Sequence, residues 1–256
     1  MGRVTQHRPG RRLAAALLLA AAPLLAGTAL TACGSLARVG HRPPAPGAEP
    51  ARHAPASETG PVRHLAFGGR DRTYVVHRPT ERPSAAGLPV LLILHGRFGT
   101  AENTARLTHF DQVADRAGFL AVYPEGVERS WSDARGTTEA STAGVDDVAF
   151  ISALIDELVA RDGVDPARVY VTGFSNGGIL TQQLGCQLAG KLAGIAPVAG
   201  PTPPSLPPAC HPSRPLPVLE IHGTADPVVP YQGGTVRAGR EDGQVTSAPA
   251  SADAGC

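Results

Sequence analysis

Residues 169–180 read V-Y-V-T-G-F-S-N-G-G-I-L, a pattern that predicts a strand, a sharp turn and a helix in succession. Its β-branched start predicts a strand, its end is compatible with a helix, and Gly-Phe-Ser-Asn-Gly lies at the junction. Glycines two residues to either side of Ser175 let the chain pass close to itself at a sharp turn. Such a turn exposes the serine hydroxyl and directs backbone N–H groups of the following helix toward it. We therefore expect Ser175 to be a nucleophile; the alternative is an ordinary glycine-rich turn.

Short apolar segments bounded by turn residues predict seven strands. They lie at 65–67, 73–76, 89–95, 119–123, 169–172, 194–198 and 217–221. Helical patterns separate several of them, at 101–116, 146–161 and 178–188. Strands that alternate with helices indicate an α/β fold, with a mostly parallel sheet and helices on both faces. Reactive groups of such a sheet collect at the carboxyl ends of its strands.

Two further loops follow predicted strands and carry candidate residues. In His95-Gly96-Arg97 we expect the backbone N–H of Arg97 to be an oxyanion donor, beside the backbone N–H of Asn176. We interpret His95 as a structural histidine that hydrogen-bonds this loop, in preference to a catalytic base. Asp226 follows the last predicted strand, where a carboxylate could orient a catalytic imidazole. The alternative for Asp226 is a turn aspartate before proline.

Two rival acids, Asp146 and Asp147, open the predicted helix at 146–161. Acidic residues at this position commonly cap a helix and interact favourably with its dipole. We therefore expect capping for both and no catalytic role.

Five motifs in order carry a resemblance to a known group of enzymes. They are L-H-G at 94–96, Y-P-E-G at 123–126, D-D-V-A-F at 146–150, D-P-A-R-V-Y-V-T-G-F-S-N-G-G at 165–178 and H-G-T-A-D-P-V-V-P-Y at 222–231. Over residues 61–256 the sequence resembles the secreted polyhydroxybutyrate depolymerase and feruloyl esterase group of α/β-hydrolases. The resemblance implies hydrolysis of carboxylic esters through an acyl-enzyme, with Ser175 as nucleophile and Asp226 as acid. It also implies that the loop 123–131 lies near the substrate, where Trp131 is either a stacking surface or part of the core.

One feature departs from this group, in which the catalytic histidine follows the acid along the chain. All nine histidines of this sequence precede Asp226. We interpret the chain as a truncated member that lacks the last strand, the loop after it and the catalytic base. Loss of a triad histidine lowers kcat about a millionfold in a well-studied protease, so we expect a nearly inactive chain. The alternative is a pseudo-esterase that binds an acyl group or a glycan without turnover.

Residues 1–32 have the composition of a lipoprotein signal peptide. Four arginines precede an apolar run at 13–30 that contains no acidic residue. L-T-A-C at 30–33 resembles the bacterial lipoprotein cleavage site, which predicts a lipidated Cys33 and attachment to the outer face of the bacterial cell membrane. The alternative is an ordinary signal peptide with a chance cysteine. Residues 33–60, rich in proline and alanine, predict a disordered tether, and residues 61–256 predict one catalytic domain.

The remaining cysteines suggest one disulfide. Cys186 lies in the helix after Ser175, and Cys210 lies just before the strand at 217–221. A disulfide between Cys186 and Cys210 suits an oxidising compartment; the alternative is two buried free thiols. Cys256 would then have no partner.

Charge and motifs exclude several classes of function. Removal of residues 1–32 takes away four of the 23 basic residues and none of the 22 acidic ones, leaving 19 and 22. The mature chain has no basic patch of the kind that binds nucleic acid. It also has no phosphate-binding or dinucleotide-binding glycine motif and no paired-histidine metal motif, so we expect no cofactor and no metal. We expect a monomer whose partner is a small-molecule or polymeric ester.

Overall fold

The structure, a computed structural model, describes residues 60–80, 87–206, 210–238 and 241–253. All of these belong to one unit that spans 52–256. The predicted signal peptide, Cys33, residues 33–59 of the predicted tether and Cys256 lie outside the described residues. Within the described ranges, no helix has both the length and the apolar character needed to cross a bilayer.

Six strands form the main sheet. Their bounds are Val62–Phe67 (β1), Arg70–His77 (β2), Leu88–Leu94 (β3), Leu120–Pro124 (β4), Val164–Phe174 (β5) and Gly194–Val198 (β6). The strand order is β1-β2-β4-β3-β5-β6. The pairs β1-β2 and β2-β4 are antiparallel, and the other three pairs are parallel. The predicted α/β fold with a mostly parallel sheet is confirmed.

The helices match the predicted pattern in two of three places. Their bounds are Ala101–Thr108 (α1), Phe110–Ala117 (α2), Glu139–Thr142 (α3), Asp147–Asp162 (α4), Asn176–Gln187 (α5) and Ala248–Asp253 (α6). The prediction of one helix over 101–116 is wrong, because His109 adopts a left-handed backbone with φ 53°. Its N–H bonds the carbonyl of Ala105 at 3.3 Å and closes α1, so that α2 begins in a new direction.

Helices cover the sheet on both faces, but unequally. Alternate residues of β3 point to opposite faces: Leu92 packs in the core beneath α4 and α5, whereas Ile93 packs beneath α1 and α2. Beyond β3, the second face carries four exposed apolar side chains. They are Tyr170, Phe174, Leu219 and Ile221, between 41% and 61% exposed. No helix of the described residues covers this part of the sheet, which we call the open face. Two of its residues, Tyr170 and Leu219, also line an apolar groove of about 580 Å³.

The predicted strand at 217–221 lies parallel to β6 without forming a regular ladder. Isolated bridges join Val218 to Ile195 and Ile221 to Val198. Among the described residues no strand pairs with its outer side. The sequence did not predict a separate antiparallel hairpin, Gly234–Arg237 (β7) and Glu241–Val245 (β8).

Candidate functional site

Ser175 lies at a strained corner between β5 and α5. Its φ of 54° and ψ of −117° fall in a region that side-chain-bearing residues rarely occupy, and such strain clusters at functional positions. The corner depends on its glycines. A Cβ on Gly173 would lie 2.4 Å from the carbonyl oxygen of Gly177, and a Cβ on Gly177 would lie 2.5 Å from that of His95. The predicted sharp turn is therefore present, with Ser175 half-buried at its tip.

The backbone around Ser175 leaves amide groups free at the start of α5. The N–H of Ser175 donates to the carbonyl of Val198 at 2.9 Å, which fixes the corner to β6. The first intrahelical bond runs from the N–H of Ile179 to the carbonyl of Ser175 at 2.9 Å. The first amides of α5, including that of Asn176, therefore have no partner inside the helix, and the Ser175 side chain does not cap them. This is the arrangement that an oxyanion donor requires.

The loop after β3 runs beside Ser175. A Cβ on Gly96 would lie 3.6 Å from the Cβ of Ser175. Phe98 holds a left-handed φ of 65°, and its N–H donates to the carbonyl of Arg129 at 2.8 Å. Within the described residues, the backbone N–H of Arg97 has no backbone acceptor. The structure thus brings the backbone of Gly96, the residue before Arg97, next to the serine.

His95 is a structural histidine, as the sequence indicated. Its Nε2 accepts the N–H of Gly126 at 2.9 Å, and its Nδ1 donates to the carbonyl of Gly96 at 2.8 Å. The side chain is buried, and burial lowers the pKa of His95 to about 4. The imidazole is therefore neutral at neutral pH, and both ring nitrogens are engaged by the backbone.

Trp131 packs in the core, which was one of its two predicted alternatives. Its side chain is fully buried, its Nε1–H donates to the carbonyl of His95 at 2.9 Å, and the two rings lie 4.8 Å apart. Its backbone N–H donates to Oδ1 of Asn176 at 2.8 Å, and its carbonyl accepts from Nδ2 of Asn176 at 3.0 Å. Trp131 therefore joins the loop after β3 to the first residue of α5, and its ring has no exposed face on which to stack a substrate.

Asp226 stabilises its own loop. Its Oδ1 accepts the N–H groups of Val228 at 2.8 Å and Val229 at 3.0 Å. Its Oδ2 lies 3.6 Å from Nε2 of His222, which in turn donates to the carbonyl of Val229 at 2.9 Å. The predicted turn role of Asp226 is present, and Oδ2 remains directed toward an imidazole.

Ser175 and Asp226 follow two parallel segments, β5 and 217–221, that lie on either side of β6. Ser175 bonds Val198 at the end of β6, and the next residue, Ala199, donates to the carbonyl of Ile221 at 2.8 Å. Asp226 follows five residues later. The two predicted catalytic residues thus both lie at the carboxyl ends of the parallel strands. Within the described residues, no direct bond joins their side chains.

A buried pair beside Asp226 was not predicted from the sequence. Oε1 of Glu220 lies 3.6 Å from Nδ1 of His222, and Oε2 of Glu220 accepts from Nε2 of Gln182 at 2.9 Å. Burial raises the pKa of Glu220 to about 7. Because Nε2 of His222 donates to Val229, a favourable contact with Glu220 requires a proton on the carboxyl group or on Nδ1. The signal in the sequence was Glu220 itself, two residues before His222 and therefore on the same side of an extended segment.

No histidine in the described ranges bonds the Ser175 hydroxyl. His64 pairs with Asp71, and His77 pairs with Asp115. His64 lies on β1 and His77 on β2, two strands that β4 and β3 separate from β5.

The rival acids have different roles. Asp146 caps α4, because its side chain accepts the N–H of Ala149 at 2.9 Å, and this prediction is confirmed. The capping prediction is wrong for Asp147, which is buried and pairs with Arg72 at 2.8 Å while accepting the N–H of Ser132 at 2.8 Å. Burial raises the pKa of Asp147, and the Arg72 charge opposes that shift.

The structure joins Cys186 to Cys210 in the predicted disulfide, with a Cα–Cα distance of 5.3 Å. The bond ties α5 to the segment that leads into 217–221. Among the residues that the structure describes, no cluster of three or more His, Cys, Asp or Glu side chains could hold a metal ion.

Residues 80–238 match the phospholipase/carboxylesterase family. The chain belongs to that family. It is 38% identical over 183 residues to the putative esterase NocK of Nocardia uniformis subsp. tsuyamanensis, covering 71% of this chain and 53% of the relative. It is 31% identical over 169 residues to feruloyl esterase B of Piromyces equi, covering 64% of this chain and 31% of the relative. The chain thus spans about half, or less, of the length of these curated relatives.

Solved structures show the same fold. A thermostable esterase superposes with a TM-score of 0.55 at 21% identity, covering 67% of this chain and 48% of that one. The native sOPH structure superposes with a TM-score of 0.58 at 17% identity, covering 80% and 76%. Together with the sheet order, these matches establish the α/β-hydrolase fold.

Proposed function

We propose that the chain is a serine ester hydrolase that cleaves carboxylic esters through an acyl-enzyme at Ser175. The observation that carries this proposal is the backbone of Ser175, which is strained at a strand-to-helix corner in a chain of the carboxylesterase family. In the first step the Ser175 oxygen attacks the ester carbonyl, and the alcohol leaves after taking up a proton. Water then attacks the acyl-enzyme, releases the carboxylic acid and returns the proton to Ser175.

The negative charge that develops on the carbonyl oxygen needs two donors. We assign them to the backbone N–H groups of Arg97, in the loop after β3, and of Asn176, at the start of α5; the closeness of Gly96 to Ser175 supports the first assignment, and the uncapped start of α5 supports the second. Loss of one such donor typically costs about two to three powers of ten in kcat. Asp226 is the proposed acid, whose Oδ2 would orient and stabilise an imidazolium.

The catalytic group that this site lacks is a histidine whose ring nitrogen is free to act as the general base; this holds for the two histidines, His95 and His222, that lie nearest the proposed catalytic residues. Both nitrogens of His95 are bound by the backbone, and Nε2 of His222 donates to Val229. We therefore propose that this 256-residue chain turns over slowly. Residual catalysis of about 10³–10⁴ over water remains in a serine protease that lacks a triad residue, because the oxyanion donors and substrate binding still act.

The proposed substrate is an acyl ester on a polymer. Relatives named acetylxylan esterase and feruloyl esterase support acetyl or feruloyl esters of polysaccharide, and the sequence resemblance adds polyhydroxyalkanoates. The proposed location is the outer face of the bacterial membrane, through a lipidated Cys33, and the proposed state is a monomer.

The test is an ester panel. Purified chain is assayed with 4-nitrophenyl acetate, methyl ferulate, acetylated xylan and a polyhydroxybutyrate emulsion, and the acyl adduct is mapped by mass spectrometry. We expect slow hydrolysis, with the adduct on Ser175, that Ser175→Ala abolishes and the exposed control Ser213→Ala does not. Equal activity in Ser175→Ala would remove the nucleophile assignment.

A second candidate is an acyl- or glycan-binding pseudo-esterase, favoured by the engagement of both His95 nitrogens. Saturable binding of a feruloylated oligosaccharide, with neither adduct nor product, would identify this function.

A further inference from the structure

A chain of buried polar side chains joins Asn176 and Arg97, the two residues whose backbone N–H groups are the proposed oxyanion donors. It starts at Asn176, whose Nδ2 donates to Oδ2 of Asp133 at 2.6 Å. Asp133 binds Arg135 through Nη2 at 2.7 Å and through Nε at 3.0 Å. Arg135 reaches β8, where its Nη1 donates to the carbonyl of Asp242 at 2.7 Å. Oδ1 of Asp242 lies 2.5 Å from Nη1 of Arg97, which completes the chain.

The members of this chain are almost fully removed from water. The side chains of Asp133, Arg135, Asp242 and Arg97 are between 0% and 5% exposed. Two arginines alternate with two aspartates, so the charges balance inside the chain. Glu139 adds a bidentate contact to Arg97, at 2.9 Å and 2.7 Å, on the more exposed side. Such a buried network holds its members in one geometry, because each of the two arginines is held by two carboxylates.

We infer that Asp133, Arg135 and Asp242 are positioning residues for the oxyanion donors, an inference that rests on the proposed function. The loop after β3 carries a left-handed backbone at Phe98 and would relax without an anchor. The Arg97 side chain is that anchor on one side, and the Asn176 side chain is the anchor on the other. The chain of ion pairs therefore sets the distance between the backbone N–H groups of Arg97 and Asn176.

The alternative is that the network only stabilises the β7-β8 hairpin against the domain. The two roles differ in what a variant changes. A purely structural role lowers the unfolding temperature and leaves the reactivity of Ser175 unchanged. A positioning role lowers the reactivity in protein that is still folded, because misplacement by about 1 Å can cost a hundredfold in rate.

Asp242→Asn tests the inference, and the chain offers a matched control. Asp162 is also a buried aspartate between two arginines, Arg63 and Arg78, but it lies at the other end of β5 from Ser175. The second-order rate constant for labelling of Ser175 by a fluorophosphonate is measured at 15 °C, and the unfolding temperature is measured in parallel. We expect Asp242→Asn and Asp133→Asn to label tenfold to hundredfold more slowly than the parent chain, while Asp162→Asn labels at the parent rate.

A double variant tests whether the ion pairs act as one unit. If the chain acts as one unit, Asp133→Asn with Asp242→Asn is no slower than the slower single variant. Should Asp242→Asn fail to fold, Arg135→Lys keeps the charge but loses the two-nitrogen contact with Asp133, and we expect the same slowing.

The outcomes separate the inference from the proposed function. Labelling of the parent at Ser175, with Asp242→Asn and Asp133→Asn as fast as Asp162→Asn, overturns the inference and leaves the proposed function standing. Absence of any label on Ser175 in the parent overturns the proposed function and the inference together.

Discussion

Gly178 in α5 and Gly200 after β6 pack backbone against backbone. A Cβ added to Gly200 would lie 2.3 Å from the carbonyl carbon of Gly178 and 2.6 Å from the nitrogen of Ile179. The first turn of α5, which follows Ser175 directly, therefore packs against the backbone of Gly200 with no side chain between them. Its position depends on the absence of two side chains.

Gly200→Ala should destabilise the domain and slow the labelling of Ser175, because the methyl group must displace the start of α5. Overpacking of a close contact typically costs about 1–3 kcal/mol in the free energy of unfolding. Urea unfolding and fluorophosphonate labelling measure the two effects. The control is Gly223→Ala, where an added Cβ meets nothing within 4 Å. A Gly200→Ala chain as stable and as reactive as Gly223→Ala would contradict this account of the corner.

Glu220 should give the chain a stability that decreases as pH rises. Burial raises the pKa of Glu220 from 4.5 to about 7, so between these values the native state holds a proton that the unfolded state has lost. Its contribution is therefore fully present below about pH 4.5 and is lost as pH rises through about 7. We expect Glu220→Gln, which stays neutral, to flatten the curve of unfolding free energy against pH between 4.5 and 7. Parallel curves for the two proteins would contradict the raised pKa.

Opening the disulfide between Cys186 and Cys210 should lower the free energy of unfolding by about 3 kcal/mol, the chain-entropy value for a closed loop of this size. Thermal unfolding of the oxidised chain, the reduced chain and Cys186→Ala with Cys210→Ala measures this loss. The reduced chain and the double variant should agree. If reduction alone changed nothing, the bond would not form in the purified protein.

The open face should make the monomer prone to non-specific aggregation at high protein concentration. Leu219 is 61% exposed within an apolar surface, whereas Leu107 is 71% exposed on α1 and lies outside that surface. Contiguous exposed apolar patches drive association. We expect Leu219→Lys to reduce light scattering and binding of a hydrophobic dye, and Leu107→Lys to change them little. Equal effects of the two substitutions would show that the open face has no special role.

The sequence predicted what depends on local pattern. Alternation of strands and helices, with glycines around Ser175, was enough for the sheet and the corner. The helix break at His109 was missed because its left-handed backbone carries no glycine or proline signal. The role of Asp147 was missed because its partner, Arg72, lies on a distant strand. The network from Asn176 to Arg97 was missed for the same reason, since single-sequence patterns report neighbours along the chain and not across the fold.

Arg135 and Asp242 meet across 107 positions of sequence. Asp242 must therefore be synthesised and folded against the domain before the ion-pair chain can close. If Asp242 sets the geometry around Ser175, a nascent chain that has not yet reached Asp242 carries Ser175 without its complete set of positioning contacts.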